Sequence, residues 1–517
     1  MLDQASREQL KTVFTDLDST YRFIIEAEGH PAKAELIELL QDVASTSEKL
    51  SIQELPAKGL QFRIEKDGSV LPVIFKGIPG GHEFTTLILM VLHADGKGKW
   101  PDKAIENRIK ALNGPIRLTS YLSQSCVNCP DVVQALNQMA LIHPDFEHIM
   151  VEGTHFQEEV QARQIQGVPA VFAGDDLLHV GKADLSVLLD ELEEHFGFRK
   201  SENTETKEYD VTIIGGGPAG AAAAIYTARK GLKTAILAER VGGQVNETKG
   251  IENMISIPYT EGPQLAADLF KHLEAYPIDI LENRRAEQIQ KGDRISIDIK
   301  GGERIRTGAL IAATGAKWRQ LGIPGEKENI GRGVAYCPHC DGPFYQGKPV
   351  VVVGGGNSGV EAAIDLAGIC SSVTLIEFLD QLKADDVLIK KLYSLENATV
   401  KLHTQAIKIL DSGSKVTGIQ VKDRASGEET VVSADGIFVQ IGLMPNSAPF
   451  ADLLTLNERG EIVVDDHCRT GTERLYAAGD VTNVPYKQII ISMGQGATAG
   501  LSVFEDFARG IIDVLPR

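Results

Sequence analysis

Two short stretches of the chain carry paired thiols, Cys126-Val-Asn-Cys129 and Cys337-Pro-His-Cys340. Sulfurs three residues apart can clamp a metal, close a structural disulfide or cycle between dithiol and disulfide. Zinc knuckles that use two such pairs hold both within one short segment, whereas these two lie in different halves of the chain, so no metal site is expected. A disulfide across two intervening residues closes a tiny loop and restrains the unfolded chain little, which weakens a purely structural reading. Redox cycling is the strongest of the three. At a helix start both sulfurs come within bonding reach, and the exposed N–H groups and the helix dipole favour thiolate. Cys126, first and at the helix tip, is the expected nucleophile, with Cys129 resolving. The remaining two of the six cysteines, Cys370 and Cys468, stand alone and read as packing residues.

A second chemistry is written in glycine. VTIIGGGPAGAAAAIYTARKGLKTAILAE (211–239) and VVVVGGGNSGVEAAIDLAGICSSVTLIE (350–377) share one pattern: strand, glycine-rich turn, alanine-rich helix, strand, closing acid. A lone GxGxxG is weak evidence, but two copies in the strand-turn-helix context make a dinucleotide fingerprint. Gly215 and Gly354 would allow the turn, Gly217 and Gly356 the approach of a pyrophosphate, and Gly220 and Gly359 the packing of helix on strand. The pyrophosphate would lie on a helix N-terminus, with Glu239 and Glu377 accepting from ribose hydroxyls.

These groups must be carried by separate bodies. Residues 200–210, KSENTETKEYD, lose all apolar pattern and read as part of a linker over 197–209, whose flexible residues would span about 20 Å root-mean-square. Before it, residues 115–196 spell strand, CxxC helix, strand, helix, hairpin and helix, an order that resembles a thioredoxin or glutaredoxin fold. The order repeats once upstream, with Gly29-His30-Pro31 where the cysteine pair would stand. After the linker, the motifs GGGPAG, GGQV (242–245), ATGAKW (313–318), CPHCD, GGGNSGVEAA and YAAGDV (476–481) together resemble the low-molecular-weight thioredoxin reductases, in the class II pyridine nucleotide-disulfide oxidoreductase family. The amino-terminal tandem with CVNC is similar to that of the alkyl hydroperoxide reductase flavoproteins, and the likeness covers the whole chain.

The resemblance implies an α/β fold of tandem thioredoxin-like folds linked to a two-domain, Rossmann-like FAD/NAD(P)-binding reductase. Its expected divisions are 1–112 (no CxxC), 113–196 (CxxC), the linker 197–209, FAD-binding segments 210–327 and 445–517, and an inserted NAD-binding domain over 328–444 that carries the second CxxC. FAD would be held by the first fingerprint (Gly215, Gly217, Pro218, Ala219, Gly220, Glu239) and by Gly243, Gln244, Asn253, Thr314, Gly315, Gly479, Asp480, Gln488 and Ile489. The nicotinamide nucleotide would be held by Gly354, Gly356, Asn357, Ser358, Gly359, Glu361 and Glu377. The stretch LIEFLDQLKADD (375–386) has acids and no arginine, so a 2′-phosphate would be repelled and NADH is expected over NADPH, with Lys383 as the one opposing charge.

By the same resemblance Cys340 exchanges electrons with FAD, Cys337 meets the outside disulfide and Asp341 protonates the leaving thiolate. A cis bond at Val168-Pro169 would set a backbone edge beside Cys126. The implied route runs from NADH to FAD, to Cys337/Cys340, to Cys126/Cys129 and on to a two-cysteine peroxiredoxin. Tethering raises the local concentration of the two dithiols, and the NAD domain would reorient about pivots near 325–330 and 442–446. A homodimer is also implied.

Composition bounds the rest. A net charge of −19 argues against nucleic acid, whose phosphates demand dense Lys and Arg. The amino terminus, MLDQASREQLKTVF, has no uninterrupted apolar run, so neither a signal peptide nor a membrane anchor is expected, and the sparse cysteines suit a reducing, cytoplasmic setting. Three other readings compete: a reductase of thioredoxin-like carriers, an H2O2-forming NADH oxidase, and a nucleotide-binding redox sensor without turnover.

Overall fold

The computed structural model describes residues 2–515 other than 127–128, 164, 166–167, 200–205, 249, 331, 337 and 414; Glu247, His339 and Cys340 are described in backbone only. The chain divides into two compact units, essentially residues up to 204 and residues from 205 onward.

The first unit is built on eight strands: β1 (Tyr21–Glu28), β2 (Leu50–Lys58), β3 (Gln61–Lys66), β4 (Ser69–Lys76), β5 (Ile116–Leu122), β6 (Phe146–Glu152), β7 (Ala170–Ala173) and β8 (Asp176–Val180). They form one sheet in the order β2-β1-β3-β4-β6-β5-β7-β8. The two thioredoxin-like halves read from the sequence are both present, and parallel pairing of β4 with β6, from Val73↔His148 to Lys76↔Val151, fuses them edge to edge. This closes the sheet edge that each half would otherwise leave open. In β1 every second residue, Tyr21, Phe23, Ile25 and Ala27, is buried, the period a half-buried strand requires. Phe23, Phe62 and Phe75 of one half share a core with Leu118, Leu136 and Met150 of the other. Each such side chain contributes about 1.5–3 kcal/mol of burial, so neither half is independent of its neighbour.

Residues 206–209, read from sequence as the linker's end, begin the strand Thr206–Ile214 of the second unit. There it pairs with Thr234–Leu237 on one side and Arg304–Ala312 on the other, all parallel. The chain leaves this lobe, builds a five-stranded parallel sheet around Pro349–Val353, and returns to set Leu475–Ala477 beside Arg304–Ala312. The last helix, Ile489–Ala508, lies on the fingerprint helix Pro218–Arg229, an approach that Gly496 makes possible because a Cβ there would sit 2.0 Å from the Ala219 carbonyl oxygen.

The chain crosses between lobes at an antiparallel ribbon, Ala316–Trp318 with Leu443–Pro445. The second expected pivot, 442–446, falls on this ribbon; the first, 325–330, does not. Glu326 is 1% exposed and accepts from the Leu321 and Gly322 N–H groups, and Asn329 donates to Asp411. That segment is therefore pinned to the inserted domain, and the crossing lies earlier, at 316–318.

Candidate functional site

The two glycine-rich turns are built alike. Gly215 and Gly354 have φ of +116° and +120°, and a Cβ on either would press on a carbonyl oxygen, Ala313 at 2.1 Å or Gln440 at 2.4 Å. At Gly220 and Gly359 a Cβ would lie 1.8 and 1.9 Å from the carbonyl oxygens of Gly215 and Gly354. Gly217 and Gly356 differ: each caps a helix, and nothing lies within 4 Å of where a Cβ would be. Each turn is thus a cradle open at its middle glycine and floored by helix N–H groups, which fits a dinucleotide pyrophosphate in size and in sign.

Around the first cradle the structure gathers several residues from the candidate set. Gly243 approaches Gly217, a Cβ on it reaching within 3.2 Å of the Gly217 Cα. Gln488 precedes the final helix and accepts from Asn253 Nδ2 at 3.1 Å. Asp480 accepts from Ser492 Oγ at 2.9 Å, and burial raises its carboxyl above the usual range against the pull of Ser492 and Lys487. The Gly479 N–H donates to Gln495 Oε1 at 2.8 Å. Thr314 and Asn446 exchange reciprocal hydrogen bonds of 2.8 Å, tying the two strands of the ribbon just where they leave this lobe. Glu239 accepts from Arg285 Nε at 2.7 Å. Ser492, Gln495 and Asn446 were not singled out in the sequence. The first two follow Gln488 at helical spacing, which is the signal that would have found them.

At the second cradle Asn357 is engaged by Asp385, whose N–H donates to Asn357 Oδ1 at 2.8 Å, while Ser358 and Glu361 face outward. Glu377 is nearly buried, and its two oxygens accept from the Gly355 N–H at 2.5 Å and the Leu379 N–H at 2.8 Å. Its carboxylate therefore braces the turn as well as closing the strand. The fold also brings in a cation absent from the linear stretch: Arg424 lies 3.7 Å over the Phe378 ring and donates to the Phe378 carbonyl.

Cys126 and Cys129 form a disulfide at the start of the helix Cys129–Ile142, with Cys129 fully buried and Cys126 half-buried. Cys126 Sγ lies 3.7 Å from the Val168 carbonyl oxygen, and Val168-Pro169 is cis, as expected. Cys337 lies outside the described residues, as does the side chain of Cys340. Asp341 ends the short helix Pro338–Asp341 and is half-buried. The ring of Phe344, just beyond, comes up against Gly250, where a Cβ would meet it at 2.9 Å, so the segment after the dithiol packs on the first nucleotide lobe.

Between the two thioredoxin-like halves a small cavity is lined by Glu83, Ile78, Leu122, Met150 and Glu152. Glu83 is wholly buried and neither of its oxygens makes a hydrogen bond of normal geometry. The neighbouring His82 N–H donates to the carbonyl of Gln124, two residues before Cys126. Burial, partly offset by the Thr86 hydroxyl, pushes the Glu83 carboxyl up to about 7. Because this folded value lies above the unfolded one, the contribution to stability is complete below about pH 4.5 and is lost as pH rises through about 7. Urea unfolding of the protein should show the amino-terminal unit about 3 kcal/mol less stable at pH 8.5 than the other ionisations alone would make it. Glu83→Gln should flatten that dependence; an unchanged slope would contradict the assignment.

Two glycine-rich turns, each at a helix start on its own sheet, and a CxxC disulfide on a thioredoxin-like body are the parts of a nucleotide-dependent disulfide reductase. Residues 209–496 match the pyridine nucleotide-disulphide oxidoreductase family and residues 119–194 the thioredoxin domain family. The chain is 44% identical to the F subunit of alkyl hydroperoxide reductase from Pseudomonas putida, over 98% of this chain and 99% of that one. It is 43% identical to an NADH dehydrogenase of Bacillus subtilis (strain 168), over 98% and 100%. Among solved structures, the thioredoxin reductase of Streptococcus pyogenes MGAS5005 aligns with a TM-score of 0.56 at 34% identity, covering 59% of this chain and all of that one. The chain belongs to the pyridine nucleotide-disulphide oxidoreductases, in the family of alkyl hydroperoxide reductase F subunits. It is a flavoprotein disulfide reductase that works with a flavin and a nicotinamide nucleotide. No helix among the described residues is long and apolar enough to cross a membrane.

Proposed function

We propose that the chain takes electron pairs from NADH through FAD and delivers them, by way of its two dithiols, to the disulfide of a two-cysteine peroxiredoxin. The observation that carries this reading is the Cys126–Cys129 disulfide at a helix tip beside a cis-proline edge, on a body separate from both nucleotide cradles. When bound, the nicotinamide supplies a hydride and the flavin turns it into an electron pair that a disulfide can accept.

This chain's residues do the rest. Gly217 and Gly356 would hold the two pyrophosphates, and the Asp480 carboxylate would accept from the ribityl hydroxyls. Reduction would break the Cys337–Cys340 bond with Cys337 as the leaving sulfur; Asp341 would give Cys337 its proton and take it back when Cys337 attacks. The Cys337 thiolate then attacks Cys126. A Cys337–Cys126 bond forms, Cys129 leaves as thiolate, and Cys340 closes on Cys337 to release the carrier with two thiols. One disulfide is oxidised and one reduced, so the electrons balance. Cys126 repeats the attack on the partner's disulfide, with Cys129, buried behind it, resolving.

NADH is preferred because a 2′-phosphate beside the acids Glu377 and Asp380 would be repelled; Lys383 and Arg424 oppose them and set the residual use of NADPH. The working form is a homodimer in the cytoplasm. Anaerobic titration of the full chain with NADH tests the route: four new thiols alongside a bleached flavin are expected, and only two would break it between the dithiols. The Bacillus relative's name favours one rival, NADH oxidation without a thiol partner. Oxygen-dependent NADH consumption that persists at the full rate, in peroxiredoxin-containing mixtures, after Cys337 and Cys340 are both changed to serine would favour it.

A further inference from the structure

We infer that Tyr336 is a positioning residue that ties the dithiol segment to the ribbon between the lobes and to the turn of the second cradle. It is the residue immediately before Cys337, and three separate contacts hold it. Its phenol donates to Glu326 Oε1 at 2.9 Å, the carboxylate whose two oxygens also accept from the Leu321 and Gly322 N–H groups at 2.9 and 2.7 Å. Burial and the Glu326 charge raise the phenol well above its ordinary value, so it stays protonated and remains a donor. Its ring stacks on Trp318, with centroids 6.3 Å apart and planes 22° from parallel. Its carbonyl accepts from Gln440 Nε2 at 2.7 Å.

Each of these partners leads somewhere. Trp318 is the last residue of the ribbon strand Ala316–Trp318 and pairs with Leu443, and the next residue, Arg319, donates from its N–H to Gly442. Gln440 follows the strand Gly436–Val439, and its own carbonyl oxygen is the atom that a Cβ on Gly354 would strike. The strand Val334–Ala335 that delivers Tyr336 is only two residues long, held at the sheet edge by Val334↔Ile437 and Ala335↔Phe438. So short a strand fixes its last residue weakly, and the side-chain contacts of Tyr336 do most of the holding. Rotation of the inserted domain must twist the ribbon, and Trp318 rides on the ribbon while Glu326 and Tyr336 ride on the domain. The stack is therefore where a change in lobe orientation reaches the start of the dithiol segment.

This inference deepens the proposed electron route and rests on Cys337 and Cys340 being its inner dithiol. The chain has two tryptophans, Trp100 and Trp318, so Trp100→Phe leaves Trp318 as the sole indole emitter. In that background, full-length holoenzyme is reduced anaerobically, once with dithiothreitol and once with NADH, while Trp318 emission and thiols at each pair are followed. Reduction of the inner pair should change the Trp318 emission, and Tyr336→Phe should abolish that change. Tyr336→Phe should also slow the appearance of Cys126/Cys129 thiols from NADH about tenfold, with the KM for NADH unmoved. Gln440→Ala, which cuts the carbonyl tether and leaves the ring, should slow the same step. Unchanged emission response and unchanged thiol appearance in both variants would overturn the inference. Absence of thiols from NADH in the parent protein would instead sink the electron route, and the dithiothreitol arm would still decide the role of Tyr336.

Discussion

Cys126→Ser is expected to lower turnover with a peroxiredoxin disulfide about a thousandfold, close to 4 kcal/mol of transition-state stabilisation, while NADH-dependent reduction of a small aromatic disulfide dye stays within about twofold of the parent. The split follows from where the sulfurs are. Exchange demands sulfur on sulfur, and a serine oxygen at the helix tip can neither form nor leave a mixed disulfide. Cys126 is the half-buried member of its pair and Cys129 is wholly buried, so a folded partner can reach only the first. A small dye needs no such carrier and can be reduced at the inner pair. Cys129→Ser gives the complementary signature: the first attack proceeds, resolution fails, and a mixed disulfide with the partner accumulates on a non-reducing gel. Partner turnover that survives Cys126→Ser would remove the amino-terminal unit from the route altogether.

The elements that carry chemistry were legible because each rests on a local rule. The helix Cys129–Ile142 and the strands around it follow from apolar periodicity, and Val168-Pro169 from the likeness to thioredoxin folds. The glycine-rich turns were legible residue by residue, since each glycine answers a separate steric demand. What escaped were features that join distant segments. No local pattern announces that β4 pairs with β6, because both read as ordinary buried strands and the pairing is a choice of partner. Arg424 comes from a hairpin far along the chain to cover Phe378, so a charge count over 375–386 could not include it. The expected pivot at 325–330 misses the crossing because the attachment of that segment depends on Glu326 collecting donors from Leu321, Gly322 and Tyr336, which only the fold assembles.

Neighbouring glycines of the second cradle should fail in opposite ways when changed to alanine. At Gly359 the new methyl would lie 1.9 Å from the Gly354 carbonyl oxygen, and that atom belongs to backbone that the turn itself fixes. The helix Asn357–Ala367 would have to lift from its sheet, uncovering Val360, Ala363 and Leu366, which are buried against it. Such overpacking costs about 3 kcal/mol or more, and Gly359→Ala should yield an inserted domain that melts early or is degraded during expression. At Gly356 the backbone is extended, with φ −81° and ψ −179°, a conformation alanine adopts freely, and no atom stands within 4 Å of the added carbon. Loss of a favourable helix cap is the main structural penalty, at most about 1 kcal/mol, so Gly356→Ala should fold and keep its flavin. The methyl nevertheless stands where the pyrophosphate must approach, and the KM for NADH should rise at least about tenfold, roughly 1.4 kcal/mol, with kcat less affected. Thermal melts and steady-state kinetics on the pair separate the two roles. If Gly356→Ala bound NADH as the parent does, the open space at that turn would not be a nucleotide cradle, and the second lobe would need another explanation for two such similar glycine turns in one chain.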